Sequence, residues 1–390
     1  MLYFDYSGSS LINKDILDTV FNATNFVDLF GNPSSTHNIG IISKQYLNQS
    51  RKLISSILNC KEDEIIFTSG GTESDNMALF GTMYSDNKKY NEKNELIISE
   101  IEHPAVLESA KELERRGFIV KYCKVDKNGI IDTEDLISKI TDKTRLISIM
   151  TVNNEIGTIQ PIKEIYKIAK QKGVIFHTDA VQAVGVTDIN LKNCDMMSLS
   201  AHKFGGLKGT GILYKKRNIK ISPLIYGGGQ EFGLRSGTEN IFGNLILALN
   251  LQNSILMWNE HRDNILNLRN YFIDKIKEIF QDNVIVNGSI TDRTCNNINI
   301  SFKNIDSRTL QTLIMSDGID ISIGSACHSH SNEISHVLKA IKVPKNYING
   351  TLRITLSYET NRSEIDILLQ DIIKHVNYLY QMKGENNGEI

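Results

Sequence analysis

Cysteine is scarce in this chain, with five in 390 residues. Cys60, Cys123, Cys194, Cys295 and Cys327 are widely spaced, odd in number and without a CxxC pair. A disulfide framework or a structural zinc site is therefore not expected, and a reducing, cytoplasmic setting fits better. An excess of one charge is missing as well. The formal net charge is −2, and basic and acidic residues are mixed along the chain. No basic block is present to track a phosphate backbone, so no direct nucleic-acid partner is expected. No apolar run approaches the ~18 residues of a membrane span. The opening Met1-Leu2-Tyr3-Phe4-Asp5-Tyr6 lacks a basic segment followed by a long apolar one, so neither a signal peptide nor an anchor is expected. Repeats and low-complexity tracts are also lacking. The five prolines reflect compositional bias and carry no functional message.

What is present is a length and a hydrophobic content of 41% that suit a large core divided between two domains. Short apolar strands alternate with helical patterns. Strands are expected at 64–68, 95–99, 119–123, 144–150, 174–178, 196–200 and 211–214, with helices starting near Ser74 and Pro104. The alternation predicts an α/β fold whose large domain is built on a mainly parallel, seven-stranded sheet. A helical pattern over 241–280, marked by Leu245, Leu249, Leu251 and Ile255, reads as a connector. Beyond it, strands near 297–302 and 352–356 predict a smaller α+β domain. We place the large domain at 14–255 and the small one at 1–13 with 256–390. The polar tail from Met382 is expected to fray.

The unusual residues fall just after strand ends, where such sheets gather ligands. Lys203, in Ser200-Ala201-His202-Lys203, suits a Schiff-base lysine, and it also fits a surface lysine in a glycine-rich turn. Asp179 ends an apolar strand. It can hold a pyridinium nitrogen protonated or cap a following helix. Ser69-Gly70-Gly71-Thr72-Glu73 lies between a strand and a helix, a place suited to phosphate, although many ordinary turns look alike. His103 in Glu102-His103-Pro104 can stack on an aromatic cofactor and move protons, or it can be structural. Cys327 sits in the small-residue loop Gly324-Ser325-Ala326-Cys327-His328-Ser329-His330. It reads as an exposed, reactive thiol, as an inert buried cysteine, or as a metal ligand with His328 and His330. No further ligands cluster in sequence, so no metal is expected.

Taken together the segments resemble the cysteine desulfurases of the class V aminotransferase family, the NifS/IscS type. The resemblance runs in order through Gly31-Asn32-Pro33-Ser34-Ser35-Thr36-His37, Thr68 to Asn76, Glu102-His103-Pro104-Ala105 and Val152-Asn153-Asn154-Glu155. It continues through Asp179-Ala180-Val181-Gln182-Ala183, Ser200-Ala201-His202-Lys203, Gly227 to Glu231 and Arg235 to Asn240. It closes with Gly324-Ser325-Ala326-Cys327 and Gly350-Thr351-Leu352-Arg353.

This resemblance implies fold type I and pyridoxal 5'-phosphate (PLP) as cofactor, bound in the large domain by Lys203 as a Schiff base. It implies that Asp179 pairs with the pyridinium nitrogen, Gln182 bonds the phenolic oxygen and His103 stacks on the ring. Thr72, Ser200 and His202, with the backbone at Gly71, would hold the phosphate, and Thr238 would reach the phosphate of a second subunit in a homodimer. Asn154 and Arg353 would bind the carboxylate of L-cysteine. Lys203 would take the α-proton, and Cys327 would accept the sulfur as a persulfide while alanine leaves. The long stretch after Cys327 resembles the group with an extended catalytic loop, suited to delivering sulfur to an acceptor protein such as an iron–sulfur scaffold or a thiolation enzyme. A selenocysteine lyase and a catalytically silent scaffold are the alternative readings. The chain departs from the family pattern at Tyr6-Ser7-Gly8-Ser9-Ser10, Ile156, Leu207 and Ile323. The first of these segments borders the substrate pocket in the family, and Ile323 borders the loop, so substrate preference and loop movement are where a difference is expected.

Overall fold

The structure, a computed structural model, describes residues 2–23, 26–85, 92–324 and 334–384. Its strands are, in chain order, β1 (Leu2–Tyr3), β2 (Ile65–Thr68), β3 (Glu95–Ser99), β4 (Ile119–Cys123), β5 (Thr144–Ser148) and β6 (Ile175–Asp179). They continue as β7 (Met196–Ser200), β8 (Gly211–Lys215), β9 (Val284–Val286), β10 (Asn297–Phe302), β11 (Ile319–Asp320) and β12 (Thr351–Thr355). Seven of them form the central sheet in the order β2-β8-β7-β6-β5-β3-β4. Only β8 runs against its neighbours β2 and β7; the other pairings are parallel. The fold is thus the expected α/β arrangement with a mainly parallel sheet.

Both faces of this sheet are covered, and the sequence shows why. Successive side chains of a strand point to opposite faces. Ile66, Leu96, Ile98, Ile175, Met196 and Leu213 enter one apolar cluster. Ile65, Phe67, Ile97, Phe176, Met197, Leu199 and Ile212 enter the other. Continuous apolar runs are what a sheet buried on both faces requires. The ends of several strands differ from expectation by one or two residues, and the helix expected near Ser74 begins at Gly71, running to Met83.

A second core forms around an antiparallel sheet in the order β12-β10-β9. Ile298, Ile300, Phe302, Leu352 and Ile354 pack there with residues of the helices Ser307–Ser316 and Arg362–Met382. The helix Ile241–Phe280 serves both cores. Its first part contributes Ile241, Leu247, Ala248 and Leu251 to the large core. Its last part contributes Ile265, Leu268, Phe272 and Ile276 to the small one. At 1.5 Å per residue it is roughly 60 Å long. We propose that the domain boundary at 255/256 falls in the stretch between Leu251 and Ile265, where the helix buries no residue.

One expectation is corrected. The helix is long and apolar enough in its uncharged first half to meet a length-and-composition test for a membrane span. Asn244, Asn250, Gln252, Asn253 and Ser254 break the run and hid it in the sequence. Ile246, Leu247, Ala248 and Leu251 of this half are fully buried, with Leu247, Ala248 and Leu251 in the sheet core, whereas Leu256 is 56% exposed.

The chain's first residues tie the two cores together at the site. β1 pairs with β11 in parallel, and Phe4 O accepts from Thr355 N at 2.8 Å. The strand then leaves the small domain, and Ser10 N donates to His202 O at 2.8 Å. Residues 5–10 therefore cross from one domain to the end of β7.

Candidate active site

Strands β3, β5, β6 and β7 end around one cavity of about 280 Å³. Its wall brings together Gly71, Thr72, His103, Asn154, Asp179, Gln182, Ser200, His202, Lys203 and Arg353. These are the expected cofactor and substrate residues except Thr238 and Cys327. Thr238 is exposed, on the loop before Ile241, and does not line this cavity. Cys327, with His328 and His330, lies outside the described residues. The described residues that flank it converge on Glu155. Ser335 Oγ donates to Glu155 Oε2 at 2.6 Å, and a Cβ on Gly324 would lie 3.9 Å from the same oxygen. Glu155 follows Asn154 of the cavity wall.

Lys203 follows β7 in a short turn, Ala201–Lys203. Its Nζ donates to the carbonyl oxygens of Ser7 at 2.6 Å and Gly8 at 2.8 Å. The lysine is thus drawn inward by the N-terminal segment and is not a solvated surface residue. Gln182 Nε2 donates to the same Ser7 carbonyl at 2.9 Å. An amine held by two carbonyls is best accommodated as an ammonium, and it becomes a nucleophile or base on losing a proton and one of these contacts.

Asp179 ends β6 on the cavity floor and is 5% exposed. No helix follows it; its Oδ1 accepts from Val181 N at 2.9 Å across a turn, so the helix-cap alternative does not hold. Burial raises its pKa to about 6, opposed by its Val181 hydrogen bond and the Lys203 charge. His177, two residues earlier, is fully buried, and burial alone lowers its pKa to about 3. It is a neutral imidazole between the Ser148 and Ser198 hydroxyls, at 2.8 and 2.9 Å. Glu102 is fully buried, and burial raises its pKa to about 8 against the Ser99 and Met150 hydrogen bonds.

His103 serves in both of the ways the sequence left open. It caps the helix Pro104–Arg115, its Nδ1 accepting from Ala105 N at 3.1 Å, and it lines the cavity. Since Nδ1 accepts, the neutral ring carries its proton on Nε2. His202 contacts Ser9 Oγ at 3.3 Å. Burial, with the charges of Lys203 and Lys208, lowers its pKa to about 4, so it too is neutral.

The helix Gly71–Met83 opens towards the cavity. Its N-cap, Gly70, has φ +149° and offers no side-chain cap, so the first-turn N–H groups are not capped from that position. A Cβ on Gly71 would lie 2.7 Å from Val181 Cγ2, so only glycine lets the backbone approach this wall. Thr72, Ser200 and His202 add a polar rim. An anion cradle, an inward lysine and a buried aspartate on one small cavity fit a phosphorylated pyridine such as PLP.

Arg353, from β12 of the small domain, is 2% exposed. Its Nη2 donates to Asp5 Oδ1 at 2.7 Å and Ser322 Oγ at 3.1 Å, and its Nη1 donates to Asn154 O at 3.0 Å. Nε has no partner among the described residues. Sequence reasoning missed Asp5 as the partner of Arg353, and the Ser7 and Gly8 carbonyls as partners of Lys203. It also missed Asp75, which lines the floor. Asp75 is three residues after Thr72, one helical turn on, a spacing that places both on one face.

Residues 2–368 match the family model described as "Aminotransferase class-V". The chain is 40% identical over 377 residues to a protein named cysteine desulfurase IscS from Dictyoglomus turgidum, covering 96% of this chain and 94% of that protein. A solved structure described as a NifS-like protein superposes with a TM-score of 0.89 at 33% identity, covering 97% of this chain and 99% of that one. Another, described as SspA in complex with cysteine, superposes at 0.76 with 33% identity, covering 91% and 99%.

Proposed function

The chain belongs to the class V aminotransferase family, and from that membership we infer that it is a PLP-dependent cysteine desulfurase acting on L-cysteine. The observation that carries the reading is one cavity that presents the Lys203 amine, the Asp179 carboxylate and the Arg353 guanidinium together. When bound, PLP supplies an electron sink for the pair left on the substrate α-carbon.

The protein's own residues supply the rest. The open helix end at Gly71 and Thr72, with Ser200 and His202, holds the phosphate. Asp179 keeps the pyridine nitrogen protonated, which is what makes the ring withdraw electrons. Gln182 and His103 fix the ring. Arg353 and Asn154 hold the cysteine carboxylate, a charge-assisted contact that sets the α-hydrogen towards Lys203. Lys203 takes that proton. Cys327, as thiolate, attacks the substrate sulfur. The new S–S bond forms as the substrate C–S bond breaks, its electron pair is taken up at the substrate β-carbon with a proton, and alanine leaves. The balance is cysteine plus the Cys327 thiol giving alanine plus a Cys327 persulfide. The convergence of both flanks of the Cys327 segment on Glu155, next to Asn154, supports this placement.

The persulfide sulfur passes to an acceptor protein, for iron–sulfur clusters, thiolated tRNA or a sulfur-containing cofactor. Thr238, exposed on its loop, is suited to reach a second subunit's phosphate in a homodimer. Free thiols at Cys60, Cys123, Cys194 and Cys295 support a cytoplasmic location. The test is alanine release from cysteine by the PLP-loaded protein, with Cys327→Ala as control and with candidate acceptors added in turn.

A further inference from the structure

Asp75 has no place in the steps above, yet among the described residues it is one of the most deeply buried ionisable side chains. It lies in the second turn of the helix Gly71–Met83, is 1% exposed, and lines the same cavity as Asp179. Its carboxyl shares a hydrogen bond with the Ser198 hydroxyl. Its Oδ1 has no hydrogen-bond partner among the described residues; the nearest ring nitrogen, His177 Nε2, is 3.7 Å away.

An ionised carboxylate at this place has the Ser198 hydroxyl as a donor but no cation against it among the described residues that act on it. His177 is a neutral ring bonded to the Ser148 and Ser198 hydroxyls. Glu102, which also faces Asp75, is another buried acid. Of the two cations on the cavity wall, Lys203 acts on Asp179 and Arg353 is paired with Asp5. Burial first, and then the Asp179 charge, drive the Asp75 pKa well up against the Ser198 hydrogen bond. Two buried acids that share one cavity wall and repel each other do not both ionise; one keeps a proton. Asp179 has the compensation, in the Val181 N–H and the Lys203 charge, so the proton belongs to Asp75.

Resting on the PLP reading of the cavity, we propose that Asp75 is a positioning residue: a neutral carboxylic acid that leaves Asp179 as the lone anion under the pyridinium and backs that carboxylate from the helix side. A second anion here would pull the pyridinium's proton into a shared carboxylate pair and blunt the electron sink. A purely apolar side chain would leave the Ser198 hydroxyl without its partner and the Asp179 carboxylate without a polar backing.

The test uses the full-length protein and three variants, Asp75→Asn, Asp75→Leu and Asp179→Asn. The infrared difference spectrum of wild type minus D75N, at pH 7.5, should contain the carbonyl stretch of a protonated, buried carboxyl; Glu102 cancels in the difference. Asn imitates the neutral acid, so D75N should keep PLP affinity and the nitrogen-15 shift of labelled PLP within about twofold and at the wild-type position. D75L should weaken PLP binding at least tenfold and move the shift towards the unprotonated ring, as D179N does. If D75L does not fold, Asp75→Ala takes its place with the same expectation. The proposal is overturned if the difference spectrum shows only an ionised carboxylate, if D75N loses PLP as D179N does, or if the apolar variant matches wild type. A chain that takes up no PLP would sink the functional reading instead, while the infrared spectrum of the unloaded protein still decides the protonation of Asp75.

Discussion

The Arg353 guanidinium donates to the Asp5 carboxylate at 2.7 Å, joining the small domain's β12 to the N-terminal segment that also holds Lys203. The pair links the Arg353 guanidinium to the Lys203 amine through the four residues Asp5 to Gly8. Asp5 holds Arg353, and Ser7 and Gly8, just beyond it, hold Lys203 Nζ. The segment Tyr6 to Ser10, where this chain departs from the family pattern, therefore lies against the cavity lined by Lys203 and Arg353.

Arg353→Ala should raise the KM for cysteine by roughly ten- to a hundredfold, the value of one or two charge-assisted hydrogen bonds. The PLP absorbance should be unchanged, because Arg353 does not hold the cofactor. Steady-state kinetics with a spectrum of each preparation checks this. Loss of the cofactor band would show that the arginine is needed to build the site.

Cofactor binding should depend on pH through Asp179, whose pKa is about 6. The carboxylate is the form that holds a pyridinium. PLP affinity should be constant above neutrality and weaken as the pH falls through about 6, as Asp179 takes a proton. In Asp179→Asn this fall should vanish from an already weakened baseline. Equilibrium titration of the unloaded protein with PLP from pH 5 to 8 measures it.

Glu102 carries a pH-dependent contribution to stability. Its folded pKa, about 8, lies above the usual carboxylate value, held up by burial. Between the two values the folded state binds more protons than the unfolded one, so stability falls with rising pH. The contribution is complete below about pH 4.5, is lost as the pH approaches 8, and amounts to a few kcal/mol. Glu102→Gln should flatten the decline of Tm between pH 5 and 8. An unchanged slope would contradict the assignment.

Gly71→Val should abolish PLP binding while leaving the fold in place. Its Cβ meets Val181 at 2.7 Å, and the branched side chain fills the approach to the open helix end. Circular dichroism and a PLP titration separate the two effects.

Much of this was legible in the sequence. The central strands are apolar on both faces, and their runs stand out as short bursts between helices. The site residues share strand ends, which is why Lys203, Asp179 and His103 could be singled out before their contacts were known. The direction of β8 was not legible, because a buried antiparallel strand has the same apolar run as a parallel one. β1 and β11 are two residues each, too short to show a period. The Asp5–Arg353 pair joins residues 348 apart, and no local pattern reports such a contact. Lys203 looked like a solvated lysine in a glycine-rich turn because its partners are backbone carbonyls from another part of the chain. Asp75 stood in a quoted motif, one turn from Thr72, but its meaning depends on a neutral His177 and a nearby Asp179.

The central claim is that Lys203 and Cys327 divide the chemistry of one cysteine between them. The most direct measurement is a single-turnover reaction of PLP-loaded protein with sulfur-labelled L-cysteine, reading alanine and the mass of the Cys327 peptide. Alanine and one extra sulfur atom on Cys327 should appear in equal amounts, both lost in Cys327→Ser and in Lys203→Ala. Alanine formed at the wild-type rate by Cys327→Ser, or label retained on another cysteine, would contradict the claim.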